Sequence, residues 1–130
     1  MRKKFSNKWL QSRQPRKQRK YRYNAPMHRR QKMISAHLSK ELRKEFKKRA
    51  IGIRVNDEVR IMRGKFAKMS GKITEVDLKR LKVFVDCAKR KKASGQEMNI
   101  PLDPSNILIT KLNLDDRMRK KIISRKSEKK

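Results

Sequence analysis

The chain has 130 residues, with 41 Lys/Arg against 12 Asp/Glu, a formal net charge of +29 and an apolar fraction of 35%. At this length one domain is expected, and such a charge repels itself unless a polyanion neutralises it, which makes nucleic acid the expected partner and leaves a solvated basic tail as the bland alternative. No stretch approaches the ~20 apolar residues of a membrane span, and no apolar run follows the basic start as a secretory signal requires.

The charge is uneven. Residues 1–50 carry 19 Lys/Arg against 2 acids, residues 51–116 carry 14 against 9, and residues 117–130 carry 8 against 1. The contacts are therefore expected at the two ends. Cys87 is the single cysteine, so an intrachain disulfide and a cysteine metal site are both excluded. With no secretory signal or membrane span, the expected compartment is reducing and intracellular, and the basic N-terminus also matches a nuclear-targeting run loosely. Following Val83, Phe84 and Val85, it reads as a buried structural thiol.

Residues 1–23 have no sustained hydrophobic period, and Pro15 interrupts them, so the reading is an extended basic arm. Phe5, Trp9, Leu10, Tyr21 and Tyr23 are interleaved with its cations. Such rings either stack on unpaired bases or dock on their own domain; Trp9 is assigned to RNA. Residues 24–50 read as a helical extension. Asn24-Ala25-Pro26 resembles a helix start running to about Ser35, which groups Arg29, Arg30 and Lys32. Ser39 is a second candidate cap. Leu38, Leu42 and Phe46 recur every four residues, with Glu41 in the first turn and Lys47, Lys48 and Arg49 in the last.

After Gly52 the period changes to two. Val55, Val59 and Ile61 form one candidate strand, Val83 to Val85 another, and Ile107 to Ile109 a third. Gly64 and Gly71 bracket a loop; Asp77 to Arg80 and Ala93 to Gln96 read as turns, and Pro101 and Pro104 mark a further connection. Four or five short strands over residues 51–112 suggest a small antiparallel barrel, and so a mainly β fold. Residues 113–130 read as a basic C-terminal helix and tail. Asp115 and Asp116 open it, and Leu114, Met118 and Ile122 form its apolar stripe.

No catalytic constellation is present. His28 and His37 are nine residues apart and lack the further ligands of a zinc site, so no metal and no cofactor is expected. Asp115 and Asp116, being adjacent, point in different directions on a helix and suit capping rather than acid–base work. There is no phosphate loop and no nucleophile elbow, so neither an enzyme nor a small-molecule substrate is expected. The positive signal is the segment Gly64 to Ile73. Its glycines permit close backbone approach, and Arg63, Lys65, Lys68 and Lys72 would project towards phosphates.

That segment resembles the KOW motif. Three blocks extend the resemblance to the universal L24 family of large-subunit ribosomal proteins in its archaeal/eukaryotic form. They are Gln14-Pro15-Arg16-Lys17-Gln18-Arg19-Lys20 with Asn24 to Arg30 and Ser35 to Arg43; Asp57 to Gly64 with Gly71-Lys72-Ile73 and Val76 to Leu81; and Pro104 to Asp116. The resemblance implies a five-stranded barrel of the Src-homology-three type. It implies the 5′ region of 23S-type ribosomal RNA as partner, neighbouring large-subunit proteins, a place near the polypeptide exit tunnel, a role early in assembly, and the cytoplasmic ribosome as location. Carried over residue by residue, Arg13, Arg16, Lys17, Arg19, Lys20, Arg22, His28, Arg29, Arg30, Arg63, Gly64, Lys65, Lys68, Gly71, Lys72 and Lys111 are the expected RNA contacts. Residues 1–12 extend beyond the family's usual start and receive nothing from it, so Trp9, like Tyr23, joins the expected contacts only as a ring among the arm cations. Asn56 and Lys68 stand where the family has glycine, and at Lys68 the usual loop conformation is not expected. A KOW-containing transcription factor is the alternative, but it would normally carry a second domain. A DNA-architectural protein would need a dimerisation heptad or groove-binding motif that this sequence lacks.

Overall fold

The computed structural model describes Phe5, Ser6, Lys8, Trp9 and residues 11–127. Leu10 and the last three residues of the tail lie outside the described residues. The described residues form four helices, α1 (Pro15–Asn24), α2 (Met27–Met33), α3 (Lys40–Phe46) and α4 (Arg117–Ser127). They also form eight strands, β1 (Ser35–Leu38), β2 (Ala50–Gly52), β3 (Glu58–Ile61), β4 (Ser70–Asp77), β5 (Lys82–Val85), β6 (Lys89–Lys91), β7 (Glu97–Asn99) and β8 (Ile107–Lys111). A 3-10 turn, Pro104–Asn106, leads into β8.

Six strands make one sheet in the order β2-β1-β8-β3-β4-β5, and β6-β7 is a separate hairpin. All the pairs are antiparallel except β1 with β8. The expected barrel is therefore met in part. The fold is a small mixed domain whose core is sheet-borne, and among the described residues no strand pairing closes β5 onto β2. Beyond β5, a single bridge from Val83 to Leu102 takes the next position.

Alternation builds the core. Val59 and Ile61 of β3, Ile73 of β4, Val83 and Val85 of β5, and Ile107 and Ile109 of β8 are all buried. The residues between them turn to the other face, as a two-residue period requires. Val55 does not join them. It sits 44% exposed in the turn before β3, so the expected strand begins three residues late.

The segment read as a helical extension contributes one strand, β1, and the first residue of another, β2. Ile34, Ala36 and Leu38 are buried at alternate positions, and β1 pairs with β2 through Ala36 and Ile51. Leu38 thus belongs to a two-residue period, although its spacing to Leu42 and Phe46 matches a helix equally well. Ser39 does cap α3: its Oγ accepts from Leu42 N at 3.3 Å, and Glu41 stands in the first turn. The last turn holds Arg43 and Lys44 rather than the expected later cations, because Lys47 turns left-handed at φ 50° and ends the helix.

Residues 15–23 are helical rather than extended. Pro15 occupies the first turn, where its missing N–H costs no hydrogen bond. Asn24 does not start α2 either. Its Nδ2 donates to Lys20 O at 3.0 Å, which closes α1, and α2 begins after Pro26 without a side-chain cap.

Candidate nucleic-acid interface

The expected contact residues fall into three groups on this frame. The first is α1. Arg16, Lys17, Arg19, Lys20 and Arg22 are all exposed, Arg13 precedes them exposed, and no side chain of the helix is buried. So short a helix is marginal alone. Side-chain contacts hold both of its ends. Gln18 Nε2 donates to Ser12 O at 2.8 Å near the start. Tyr21 receives the ring of Trp9 stacked at 4.8 Å and that of Phe5 at 4.9 Å. Phe5, Trp9 and Tyr21 thus pack on one another within the arm rather than on the sheet domain, whereas Tyr23 is 80% exposed.

Arg30 is a fixture of the fold. Its guanidinium donates to Ala25 O at 2.8 Å, to Lys79 O at 2.7 Å and to Tyr23 O. It pins the α1–α2 junction to the β4–β5 turn, and that turn is itself closed by Asp77 Oδ1 accepting from Lys79 N and Arg80 N. Its α2 neighbours differ: Arg29 is half-buried and His28 is exposed. His28 lines a cleft of about 520 Å³ whose walls include Ile34, Ile51, Ile53, Val76 and Leu78.

The second group is the β3–β4 loop. Gly64 takes φ 95° and Lys68 takes φ 72°, so both adopt the left-handed backbone. The lysine at the family's glycine position thus keeps the conformation that glycine would favour, contrary to expectation. Lys68 N donates to Ile61 O at 2.8 Å, and Ala67 N donates to Gly64 O at 3.0 Å. This compact turn leaves Arg63, Lys65 and Lys68 exposed.

Gly71 is not part of the loop. It lies inside β4, opposite Val59, and its φ is not positive. Its role is steric. A Cβ there would lie 2.0 Å from Asp86 Oδ1, which accepts from Lys72 N at 3.0 Å.

The third group is a row across the outer sheet face. Glu58 is the cross-strand partner of both Lys72 and Lys111, and Lys111 Nζ lies 3.6 Å from Glu58 Oε1. This row is at the start of β3, one strand length from the Arg63–Lys68 loop. Sequence spacing groups Lys72 with the loop lysines; the strand separates them.

Several exposed cations were not among the expected contacts. Arg60 stands on the outer face of β3, and Arg90, Lys91 and Lys92 run along and just past the exposed β6 strand. The run Lys89 to Lys92 beside the Gly95 turn is a visible signal for the latter.

A buried ion pair has no local signature in the sequence. Arg119, 3% exposed, donates from Nη1 to Asp57 Oδ1 at 2.5 Å and from Nη2 to Asp57 Oδ2 at 2.8 Å. Arg119 also donates to Asn113 O at 2.8 Å and Gly52 O at 3.2 Å. Asp57 further accepts from Arg54 N and Asn113 N, both at 2.9 Å. The pair thereby locks α4 to β2 and to the start of β3. Asp116 caps α4 by accepting from Met118 N at 2.8 Å and pairs with Arg54 at 3.0 Å. Arg119 and Ile123 face inward, so the expected stripe of Leu114, Met118 and Ile122 is the exposed face of this segment.

Cys87 is half-buried against the core. Burial raises its thiol pKa, and the Asp86 carboxylate raises it further. Among the described residues no group of three His, Cys, Asp or Glu side chains could hold a metal, and no helix is long and apolar enough to cross a membrane.

Comparison with known proteins gives a consistent result. Residues 12–126 match the family model described as ribosomal proteins L26 of eukaryotes and L24 of archaea. The chain is 51% identical over 114 residues to the large ribosomal subunit protein uL24 of Methanothrix thermoacetophila, covering 88% of this chain and 98% of that protein. It is 44% identical over 115 residues to uL24 of Methanosphaera stadtmanae, with the same coverage.

Proposed function

This chain belongs to the family of eukaryotic L26 and archaeal L24 ribosomal proteins, and we propose from that premise that it is a structural constituent of the large ribosomal subunit that binds ribosomal RNA. It is not an enzyme. The observation that carries the RNA reading is α1, whose ten residues bury no side chain and expose five cations. A helix of that kind contributes little to the core but presents a dense positive surface to a phosphate backbone. The β3–β4 loop adds Arg63, Lys65 and Lys68, exposed cations suited to the phosphate backbone, without an Asn or Gln to read adenine.

The finer assignments follow from the family resemblance. The RNA is of 23S type and is bound in its 5′ region, in the cytoplasmic ribosome, near the exit tunnel and beside other large-subunit proteins. Binding comes early in subunit assembly. We assign residues 51–112 to a domain of the Src-homology-three type, with β3, β4, β5 and β8 as four of its strands and the Leu102 bridge at the position of the fifth. Residues 1–23, 24–50 and 113–130 act as arm, extension and basic tail around it.

Replacing Arg16, Lys17, Arg19 and Lys20 together with Gln in the full chain tests the RNA reading. Each phosphate that the protein no longer neutralises lowers the slope of log K against log salt by roughly 0.7–0.9. The expected outcome with a 5′-region transcript, if all four cations meet phosphates, is a slope shallower by about 3. An unchanged slope would assign α1 to solvent. Co-sedimentation of the native protein with large subunits in high salt tests its place in the particle.

A further inference from the structure

We propose that the polar pocket between α1, β1 and the 3-10 turn holds one backbone phosphate of the bound RNA; this rests on the RNA-binding reading above. The pocket has a volume of about 300 Å³. Arg22 reaches it from the last turn of α1, Ser35 and His37 from β1, Arg49 from just before β2, and Ser105 from the 3-10 turn.

The walls are fixed by backbone. Leu38 N donates to Arg49 O at 3.0 Å, and His37 is the cross-strand partner of Ala50, so Arg49 is held beside β1. Asn106 N donates to Asp103 O at 3.0 Å, and Pro104 is buried, so Ser105 is presented by a rigid turn.

Charge selects an anion. Asp103 is the one carboxylate among the lining residues, and its Oδ1 lies 2.6 Å from Lys82 Nζ. Among the described residues neither Arg22 nor Arg49 forms an ion pair. Two arginines without a carboxylate partner therefore line the pocket. Their planar donor forks match phosphate oxygens. The hydroxyls of Ser35 and Ser105, both lining residues, add donors. The lining offers no Asn, Gln, Phe, Tyr or Trp, and its paired guanidinium forks suit a phosphate. A phosphate between Arg22 and Arg49 would also tie α1, which buries nothing of its own, to the sheet.

Arg49 and Ser105 are exposed, so R49Q/S105A retains the fold, and an unchanged melting temperature checks this. Full-length wild type, R49Q/S105A and R49K are bound to a 5′-region transcript carrying random phosphorothioates. With wild type, interference is expected at a small set of backbone positions. R49Q/S105A should lose interference at one or two adjacent positions, keep those sensitive to K65A/K68A, and flatten the salt slope by roughly 0.7–0.9. R49K should recover the slope but not full affinity, because an ammonium lacks the fork. A variant that keeps every wild-type interference position overturns the pocket, as does competition by a poly-glutamate peptide that is lost only in R49Q/S105A. Wild type that binds no transcript overturns the RNA reading itself, a separate and recognisable result.

Discussion

Gly71 occupies a strand position where a methyl group has no room. Its added Cβ would meet Asp86 Oδ1 at 2.0 Å and Val85 Cγ1 at 3.0 Å. Gly71→Ala should therefore displace the Asp86 carboxylate from Lys72 N and cost about 1–2 kcal/mol, the worth of a hydrogen bond to a charged group plus local repacking. In an Asp86→Ala background the same change should cost less than half as much, because the nearest obstacle is gone; denaturant titration of the four proteins closes the cycle. Equal costs in both backgrounds would place the strain elsewhere. Lys68 makes the opposite case. An L-residue held at φ 72° carries a penalty of roughly 1–2 kcal/mol that glycine avoids, offset in part by glycine's greater chain entropy. Lys68→Gly should raise the denaturation midpoint slightly while weakening RNA binding, which separates conformational from electrostatic effects at one position.

Between elements, the Asp57–Arg119 pair is the main polar fastening. It has four further backbone partners, on Arg54, Asn113 and Gly52, so both carboxylate oxygens and both terminal guanidinium nitrogens are hydrogen-bonded and only Arg119 Nε is left without a partner. Removing one partner leaves the other charge buried and uncompensated. Asp57→Ala should cost about 3–5 kcal/mol in thermal or denaturant unfolding and should release α4 first. Hydrogen exchange then reads faster opening at Lys120 N, which donates to Asp116 O at 3.1 Å. An α4 that stays protected while the sheet loosens would contradict this. The double replacement Asp57→Leu/Arg119→Met should cost less than Asp57→Ala, since a matched apolar pair leaves no orphan charge.

At the scale of the molecule, a net charge of +29 sits on a domain with few carboxylates to balance it. The self-repulsion is long-ranged at low salt, where the Debye length is about 30 Å at 0.01 M, and short at 0.15 M, where it is about 8 Å. The free protein should therefore melt several degrees higher at 0.15 M than at 0.01 M salt, and phosphate or sulfate should stabilise it beyond equal ionic strength of chloride. A melting temperature independent of salt would mean that the charges are too dispersed to oppose folding.

Composition and local chemistry were enough to read the uneven charge, the strands over Val83 to Val85 and Ile107 to Ile109, the Ser39 cap and the opening of α4 by Asp116. Each depends on nearest neighbours along the chain, or on a sum over it. The motif blocks likewise carried the family. Contacts distant in sequence were beyond its reach. Leu38 fits a helical period and a strand period alike, and only pairing with β2 and β8 decides between them. The register that sets Lys72 and Lys111 on either side of Glu58 is a property of three strands, as is the close approach of Asp86 to Gly71. Arg30 and Arg119 are two cations among 41, and nothing local distinguishes them from the exposed ones. Their burial or internal bonding is imposed by carbonyls and a carboxylate that the fold delivers from up to 67 residues away, and for a charged side chain that delivery is what separates a fold fastening from a free surface charge.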